Sequence, residues 1–262
     1  MTAKTIIVTG ASRGLGLAVA RDAADLGANV VLFARSAEKL EREAQAIRDE
    51  GGKALAVPGD ISLEADCRRL VERTMASYGR IDSLVNNAGI IEPIAPVAEA
   101  SIDVWRQNLL TNVLGPVMLT QAALPYLRQN RGRVINVSSG AATYAIPGWG
   151  AYCTAKGALN QFNRVLSVEE EMVTAVAVRP GVVDTEMQAV IREMGAAGMP
   201  ESAYQRFVRL RDEGDLLPPE APGGAIAVLA LFAPREWDGE FVAWDEERVQ
   251  ELVRKYATRR EG

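Results

Sequence analysis

Short β-branched runs alternate with longer stretches of helical period along the whole chain, and this alternation restricts the fold more than any other feature. A parallel neighbour strand can be reached only through a crossover, and the crossover helix then covers one face of the sheet. Strands are expected at Thr5 to Thr9, Asn29 to Phe33, Ala54 to Pro58, Ser83 to Asn86, Arg133 to Ser138, Thr174 to Val178 and Glu240 to Ala243. Helices are expected at Leu15 to Leu26, Ala37 to Glu50, Glu64 to Tyr78, Trp105 to Gln129, Ala151 to Met172 and Ala221 to Phe232. The middle strands are apolar along their length, as strands covered on both faces must be. The 262 residues would allow two domains, but no linker, repeat or low-complexity tract divides them, so the reading is one doubly wound α/β domain over residues 1–262. Its rhythm breaks once, at Glu186 to Pro219, where glycines and prolines surround two short helical patterns. The apolar residues there, Met187, Ile191, Met194, Met199, Tyr204, Phe207 and Leu210, form either a flap over a site or a surface excursion packed for stability.

The most useful count is zero: the chain contains no histidine. Ser-His-Asp and Cys-His nucleophiles, HExxH zinc sites and imidazole bases are thereby excluded, leaving Tyr, Lys, Asp, Glu or Cys for acid–base chemistry. Two cysteines, Cys67 and Cys153, are too few for a disulfide framework or a thiolate metal site. They read as small core residues of a protein in the reducing cytoplasm. No apolar run approaches the roughly 18 residues of a membrane helix, and none has the length of a signal-peptide core. With 29 basic against 34 acidic residues, interspersed and summing to −5, no basic face is available for nucleic acid. The basic pairs Arg254-Lys255 and Arg259-Arg260 read as a solvated end, and Ala257 to Gly262 as an exposed tail. Only Lys4, Lys39, Lys53, Lys156 and Lys255 are lysines.

The first strand runs into Gly10-Ala11-Ser12-Arg13-Gly14-Leu15-Gly16 and then a helix. A glycine loop in this setting lets the backbone approach a pyrophosphate, while the N–H groups and dipole of the helix favour the anion. At the end of the second strand, an acid would bind ribose hydroxyls and repel a 2′-phosphate. Here Phe33 is followed by Ala34-Arg35-Ser36. The small neutral Ala34, with Arg35 and the loop residue Arg13 on two sides, suits a 2′-phosphate, so NADP(H) is preferred to NAD.

Tyr152 and Lys156 lie four apart, one helical turn, and so share a face. An ammonium about 4 Å from a phenol would favour the phenolate by about 4 kcal/mol at an effective dielectric near 20. That is the magnitude needed to make a phenol with a pKa near 10 a usable acid–base group at neutral pH. The spacing alone is weak, and other motifs must supply specificity.

Those motifs are Thr9-Gly10-Ala11-Ser12-Arg13-Gly14-Leu15-Gly16, Asn86-Asn87-Ala88-Gly89, Asn112, Ser139 thirteen residues before Tyr152, and Pro180-Gly181. With them the sequence closely resembles the short-chain dehydrogenase/reductase family over nearly its whole length. The resemblance implies a Rossmann fold with strand order 3-2-1-4-5-6-7 and a catalytic tetrad of Asn112, Ser139, Tyr152 and Lys156. Tyr152 would protonate a carbonyl oxygen, Ser139 would hydrogen-bond that oxygen, Lys156 would hold the nicotinamide ribose and lower the tyrosine pKa, and Asn112 would keep a water in the proton relay through a distorted helix. Cofactor contacts would come from Gly10, Ser12, Arg13, Gly14, Leu15, Gly16, Ala34, Arg35, Asp60, Ile61, Asn87, Ala88, Gly89, Tyr152 and Lys156. Pro180, Gly181, Val183, Thr185 and Met187 would complete them, with Asp60 and Ile61 at the adenine and Thr185 at the carboxamide. Taken singly, Ser139 also reads as a strand-end cap, Asn112 as a buried helix polar group and Asp60 as a turn former.

Within the family, Gly148-Trp149-Gly150-Ala151-Tyr152-Cys153 and Pro180-Gly181-Val182-Val183-Asp184-Thr185-Glu186-Met187-Gln188 resemble sepiapterin reductase and fungal benzil reductases. This implies NADPH-dependent reduction of a ketone, often within a vicinal dicarbonyl. Substrate contacts would be Ser139, Trp149, Gly181, Met187 and Asp245, where Asp245 either binds a pterin edge or opens the last helix with its acidic run. Trp149 and the flap suggest a flat aromatic or apolar substrate. A homodimer or homotetramer through the Trp105 and Ala151 helices is expected by the same resemblance. The competing readings are an NAD(P)-dependent alcohol dehydrogenase and a non-catalytic NADP sensor.

Overall fold

The computed structural model describes residues 3–257. Residues 258–262 of the expected tail, Arg259-Arg260 included, lie outside the described residues.

Seven strands form one sheet: β1 (Thr5–Thr9), β2 (Asn29–Ala34), β3 (Lys53–Pro58), β4 (Ser83–Asn86), β5 (Arg133–Val137), β6 (Thr174–Arg179) and β7 (Phe241–Ala243). All neighbours are parallel, in the order β3-β2-β1-β4-β5-β6-β7. The helices are α1 (Gly14–Asp25), α2 (Ala37–Asp49), α3 (Glu64–Tyr78), α4 (Ile102–Leu109), α5 (Gly115–Gln129), α6 (Gly150–Glu169), α7 (Glu186–Gly198), α8 (Glu201–Asp212), α9 (Glu220–Phe232) and α10 (Glu247–Ala257).

The apolar strands serve two cores because successive side chains leave the sheet on opposite faces. Ile6, Val8, Val30 and Leu32 pack with Val19 of α1 and Ile226 and Leu229 of α9. Ile7, Val31 and Phe33 pack on the other face with Leu70 of α3 and Leu119 and Leu127 of α5. A strand buried on one side would have alternated polar with apolar residues; these do not, and both sides are filled.

Two expectations need correction. The long helix expected from Trp105 to Gln129 is three segments: α4 starts at Ile102, a π-helical turn occupies Leu110–Leu114, and α5 follows. Proline explains the break. The carbonyl of Asn112 would accept from the N–H four residues on, but that residue is Pro116, which has none. The helix after Tyr152 also stops earlier than expected, at Glu169, so Met172 lies in the turn before β6. The irregular stretch after β6 contains its two helices, α7 and α8, and Ile191, Met199 and Phe207 are buried in a third cluster with Trp149 and Tyr152. Met194 alone among the named flap residues is an exposed large apolar side chain. Cys67 is a core residue, whereas Cys153 is only half-buried.

In a sheet of this order, the direction in which strands are added reverses between β1 and β4, and a crevice opens at their carboxyl ends. Gly16 determines whether the loop can close there: a Cβ on it would lie 2.4 Å from the Gly10 carbonyl oxygen and 2.5 Å from Asn87 Nδ2. The substitution Gly16→Ala is therefore expected to lower unfolding free energy by about 2–4 kcal/mol and to weaken dinucleotide binding, read by urea denaturation and cofactor titration.

Candidate active site

A cavity of about 1050 Å³ lies along the carboxyl ends of the strands. Its volume is at the upper end for ligand sites and accommodates an extended cofactor with a substrate. Its walls hold Gly10, Ser12, Arg13, Gly14, Leu15, Gly16, Ala34, Arg35, Asp60, Ile61, Asn87, Ala88 and Gly89 at one end, and Ser139, Trp149, Tyr152, Lys156, Pro180, Gly181, Val183, Thr185, Met187 and Asp245 at the other. Of the expected site residues only Asn112 is not in the wall; it stands behind it.

Thr9 anchors the turn after β4. Its hydroxyl accepts from the backbone N–H groups of Asn87 (2.9 Å) and Ala88 (3.0 Å) and donates to the Val85 carbonyl. Asn87 Nδ2 donates to the Thr9 carbonyl at 2.8 Å, so the glycine loop and the Asn-Asn-Ala-Gly turn are one unit. Gly10 and Gly14, at φ +67° and +52°, take backbone conformations that favour glycine. Asn112, fully buried, closes the turn from behind: its Oδ1 accepts from the Ile90 N–H and its Nδ2 donates to the Ile90 carbonyl at 2.8 Å. Gly89 leaves room for this, since a Cβ there would be 2.7 Å from Asn112 Oδ1.

The glycine-loop end is basic. Arg35 and Lys39 are exposed on the wall, and no acid replaces Ala34. Arg13 forms an ion pair with Glu186, the first residue of α7, so the glycine loop and the flap touch across the cleft. Asp60 is indeed a turn former, accepting from the Ser62 N–H and hydroxyl, and it also faces the cavity. These groups, the glycine loop and the N-terminus of α1 fit a nicotinamide dinucleotide: the cradle between Gly10 and Gly16 is one a Cβ would fill.

At the other end, Ser139 lies two residues beyond β5, and its Oγ accepts from the Ala141 N–H, so it caps the short helical turn Gly140–Ala142 and also faces the cavity. The same hydroxyl is near enough to the phenol of Tyr152 to pull its pKa down. Lys156, 4% exposed, donates from Nζ to the Val137 carbonyl at 2.8 Å. Its Nζ stands 5.5 Å from the Tyr152 ring centroid. The expected lowering of the tyrosine pKa is not what these surroundings produce. Burial pushes the phenol up to about 12, against a smaller downward pull from Ser139, and burial pushes the lysine down to about 8. Desolvation outweighs the mutual attraction because both groups are enclosed and the ammonium is turned toward β5.

Trp149 lies edge-on to Tyr152, with centroids 5.8 Å apart, and is stacked on Phe207 of α8 at 4.9 Å. The chamber beside the phenol is thus aromatic and partly built by the flap. Asp245 is exposed at the rim beside Trp244, two residues before α10. Thr185 holds the N-cap position of α7, its hydroxyl donating to the Val183 carbonyl rather than capping the helix, and its methyl would be 3.2 Å from a Cβ on Gly14.

Several residues here escape a reading by motif. Lys39, Gln188 and Trp244 line the cavity, and a buried chain runs from Asn86 to Asn136 (2.9 Å) to Asn163 (3.0 Å) beneath it. Asn163 lies two turns beyond Lys156 on the same helix, a spacing that could have pointed to it. The others have no local signal.

Residues 4–196 match the short chain dehydrogenase family. The chain is 33% identical over 258 residues to a benzil reductase ((S)-benzoin forming) of Saccharomyces cerevisiae, covering 94% of this chain and 97% of that one. A benzil reductase ((S)-benzoin forming) of Bacillus cereus is 33% identical over 250 residues, covering 92% and 99%. The crystal structure of a short-chain dehydrogenase/reductase from S. cerevisiae superposes with a TM-score of 0.91 at 35% identity, covering 95% of this chain and 99% of that one. The chain belongs to the short-chain dehydrogenase/reductase family and is an oxidoreductase of that family. Among the described residues, no helix is long and apolar enough to cross a membrane.

Burial of Lys156 has a stability consequence whose sign follows from its direction. A folded pKa near 8 against about 10.5 unfolded means that the unfolded chain binds more protons between these values, so wild-type stability rises with pH there and is lost as pH falls through 8. Lys156→Met, which does not titrate, is expected to gain most on the wild type at pH 7. That advantage should shrink by about 3 kcal/mol by pH 10.5, measured by urea denaturation across the range.

Proposed function

We propose that this chain is an NADPH-dependent carbonyl reductase whose substrate is a ketone, in the first place one within a vicinal dicarbonyl of benzil or sepiapterin type. The observation that carries the reading is that Ser139 and Tyr152 share the cavity wall with an aromatic chamber of Trp149 and Phe207. Two relatives that bear the name benzil reductase and match nearly their whole length support the choice of dicarbonyl.

A reduced nicotinamide, when bound, supplies hydride. The glycine loop and α1 would hold its pyrophosphate, Lys156 its ribose, Thr185 its carboxamide, and Arg35 with Lys39 and Arg13 a 2′-phosphate. Tyr152 is the general acid: a phenol pushed up to about 12 keeps its proton at neutral pH and gives it to a carbonyl oxygen as that oxygen gains charge. Ser139 donates to the same oxygen and stabilises the charge. Lys156, held by its hydrogen bond to Val137, stands beside the Tyr152 ring, and with its pKa brought down to about 8 it can hold the proton that replaces the one the phenol gives up. The carbonyl of Asn112 in the π-turn, which Pro116 cannot serve as a donor, would offer the next acceptor, a water site, on the way out.

The exposed Arg35 and Lys39 and the absence of an acid at Ala34 support NADPH over NADH. A homodimer or homotetramer is consistent with the exposed apolar residues Ile102 and Val104 on α4 and Val165 and Val168 on α6. An NAD(P)-dependent alcohol dehydrogenase would use the same groups in reverse.

The test is the initial rate with benzil, 1-phenyl-1,2-propanedione and sepiapterin, using NADPH and NADH. NADPH-dependent turnover is expected, with Tyr152→Phe lowering kcat by about 100- to 10,000-fold. Arg35→Asp is expected to shift the NADPH-to-NADH ratio of kcat/KM toward NADH by about a hundredfold. Tight NADPH binding with no turnover of any carbonyl would overturn the enzymatic reading in favour of a sensor.

A further inference from the structure

A cation in a cleft serves a ligand only so far as no protein anion already holds it. Three cations stand at the glycine-loop end of the cavity, and they differ in this respect. Arg35 and Lys39 line the wall exposed, and their side chains have no hydrogen bond or ion pair among the described residues. Arg13 is paired, and its partner Glu186 lines the cavity too. The backbone fixes where Arg13 stands. The N–H groups of Gly10 and Ala11 both donate to the Phe33 carbonyl, at 2.8 and 3.2 Å, which ties the glycine loop to the end of β2 just before Ala34 and Arg35. On its other side the loop meets the flap, where a Cβ on Gly14 would lie 3.2 Å from the Thr185 methyl. Arg13 therefore stands between two places for an anion, the acid-free end of β2 and the first residue of α7. Its guanidinium, carried on one stem, serves one of them at a time. Both side chains of the pair are about half exposed, so the pair changes an equilibrium by no more than about fivefold.

We propose that Glu186 is a specificity-determining residue for the cofactor: its carboxylate competes with a 2′-phosphate for Arg13, and so holds the preference for NADPH below what Arg13, Arg35 and Lys39 would give together. This rests on the reading of the cleft as an NADPH site. NADH has a hydroxyl where NADPH has the phosphate, so the Arg13–Glu186 pair persists when NADH is bound. NADPH gains Arg13 only at the expense of that pair. The carboxylate left behind is half exposed at the N-terminus of α7, where water and the free N–H groups of the first turn favour its charge. The exchange of partners is therefore cheap and reversible.

The experiment measures the Kd of NADPH and of NADH by isothermal titration calorimetry in the wild type, Glu186→Gln, Arg13→Met and the double variant, with the thermal midpoint of each alongside. Glu186→Gln is expected to bind NADPH about two- to fivefold more tightly than the wild type, with the Kd of NADH unchanged. Arg13→Met is expected to weaken NADPH about tenfold. In the Arg13→Met background, Glu186→Gln should alter neither Kd, which is the mark of an effect that acts through Arg13. A gain for NADPH that survives without Arg13 would overturn the proposal by assigning it to direct repulsion between carboxylate and phosphate. An equal gain for both cofactors would overturn it by placing the carboxylate against the pyrophosphate. Weaker NADPH binding in Glu186→Gln would overturn it by making the pair a strap over the bound cofactor, and no change in either Kd would overturn it outright. Failure of the underlying reading is distinguishable, because the wild type would then bind NADH as tightly as NADPH and Arg13→Met would leave both unchanged, and the proposal would fall with it.

Discussion

The site depends on one close approach. The backbone of the glycine loop passes so near the turn after β4 that Gly16 has no room for a methyl group between the Gly10 carbonyl and Asn87. Thr9 holds the two together, since its one hydroxyl serves both N–H groups of the turn. Parallel pairing of β1 with β4 puts the two segments side by side, and the reversal of strand order there leaves the crevice that the rest of the cavity extends. Without that approach the N-terminus of α1 would not face the crevice, and the wall behind Lys156 would lose its support from Asn112 and Gly89.

Burial sets the chemistry at the other end. Tyr152 and Lys156 are enclosed by β5, the turn after it and the flap, and enclosure is the main cause that drives the phenol up and the ammonium down. The phenol therefore keeps its proton at neutral pH, and the lysine is brought nearer to neutral pH. The same enclosure opposes stability at neutral pH, a common relation between active sites and their folds.

The flap joins both ends. Glu186 pairs with Arg13 over the cofactor end, and Phe207 stacks on Trp149 over the reacting end. Both contacts come from the one stretch that interrupts the βαβ rhythm. In a doubly wound sheet, substrate selection falls to such insertions, because the strands and their helices are already committed to the core and the cofactor.

The sequence by itself determined the seven parallel strands, because a strand covered on both faces must be apolar throughout and a parallel neighbour requires a crossover. It also determined the glycine loop, the Tyr152–Lys156 spacing and the acid-free end of β2, since each is a local pattern of residue types. Pro116 held the cause of the break in the long helix, but a helical apolar period runs through a π-turn without a mark. Only the tertiary structure decided which groups are buried together. The upward shift of Tyr152, the pairing of Arg13 with Glu186 and the Asn86–Asn136–Asn163 chain all join residues far apart in the chain. Solvation and contact are properties of the packed molecule, and no local pattern carries them.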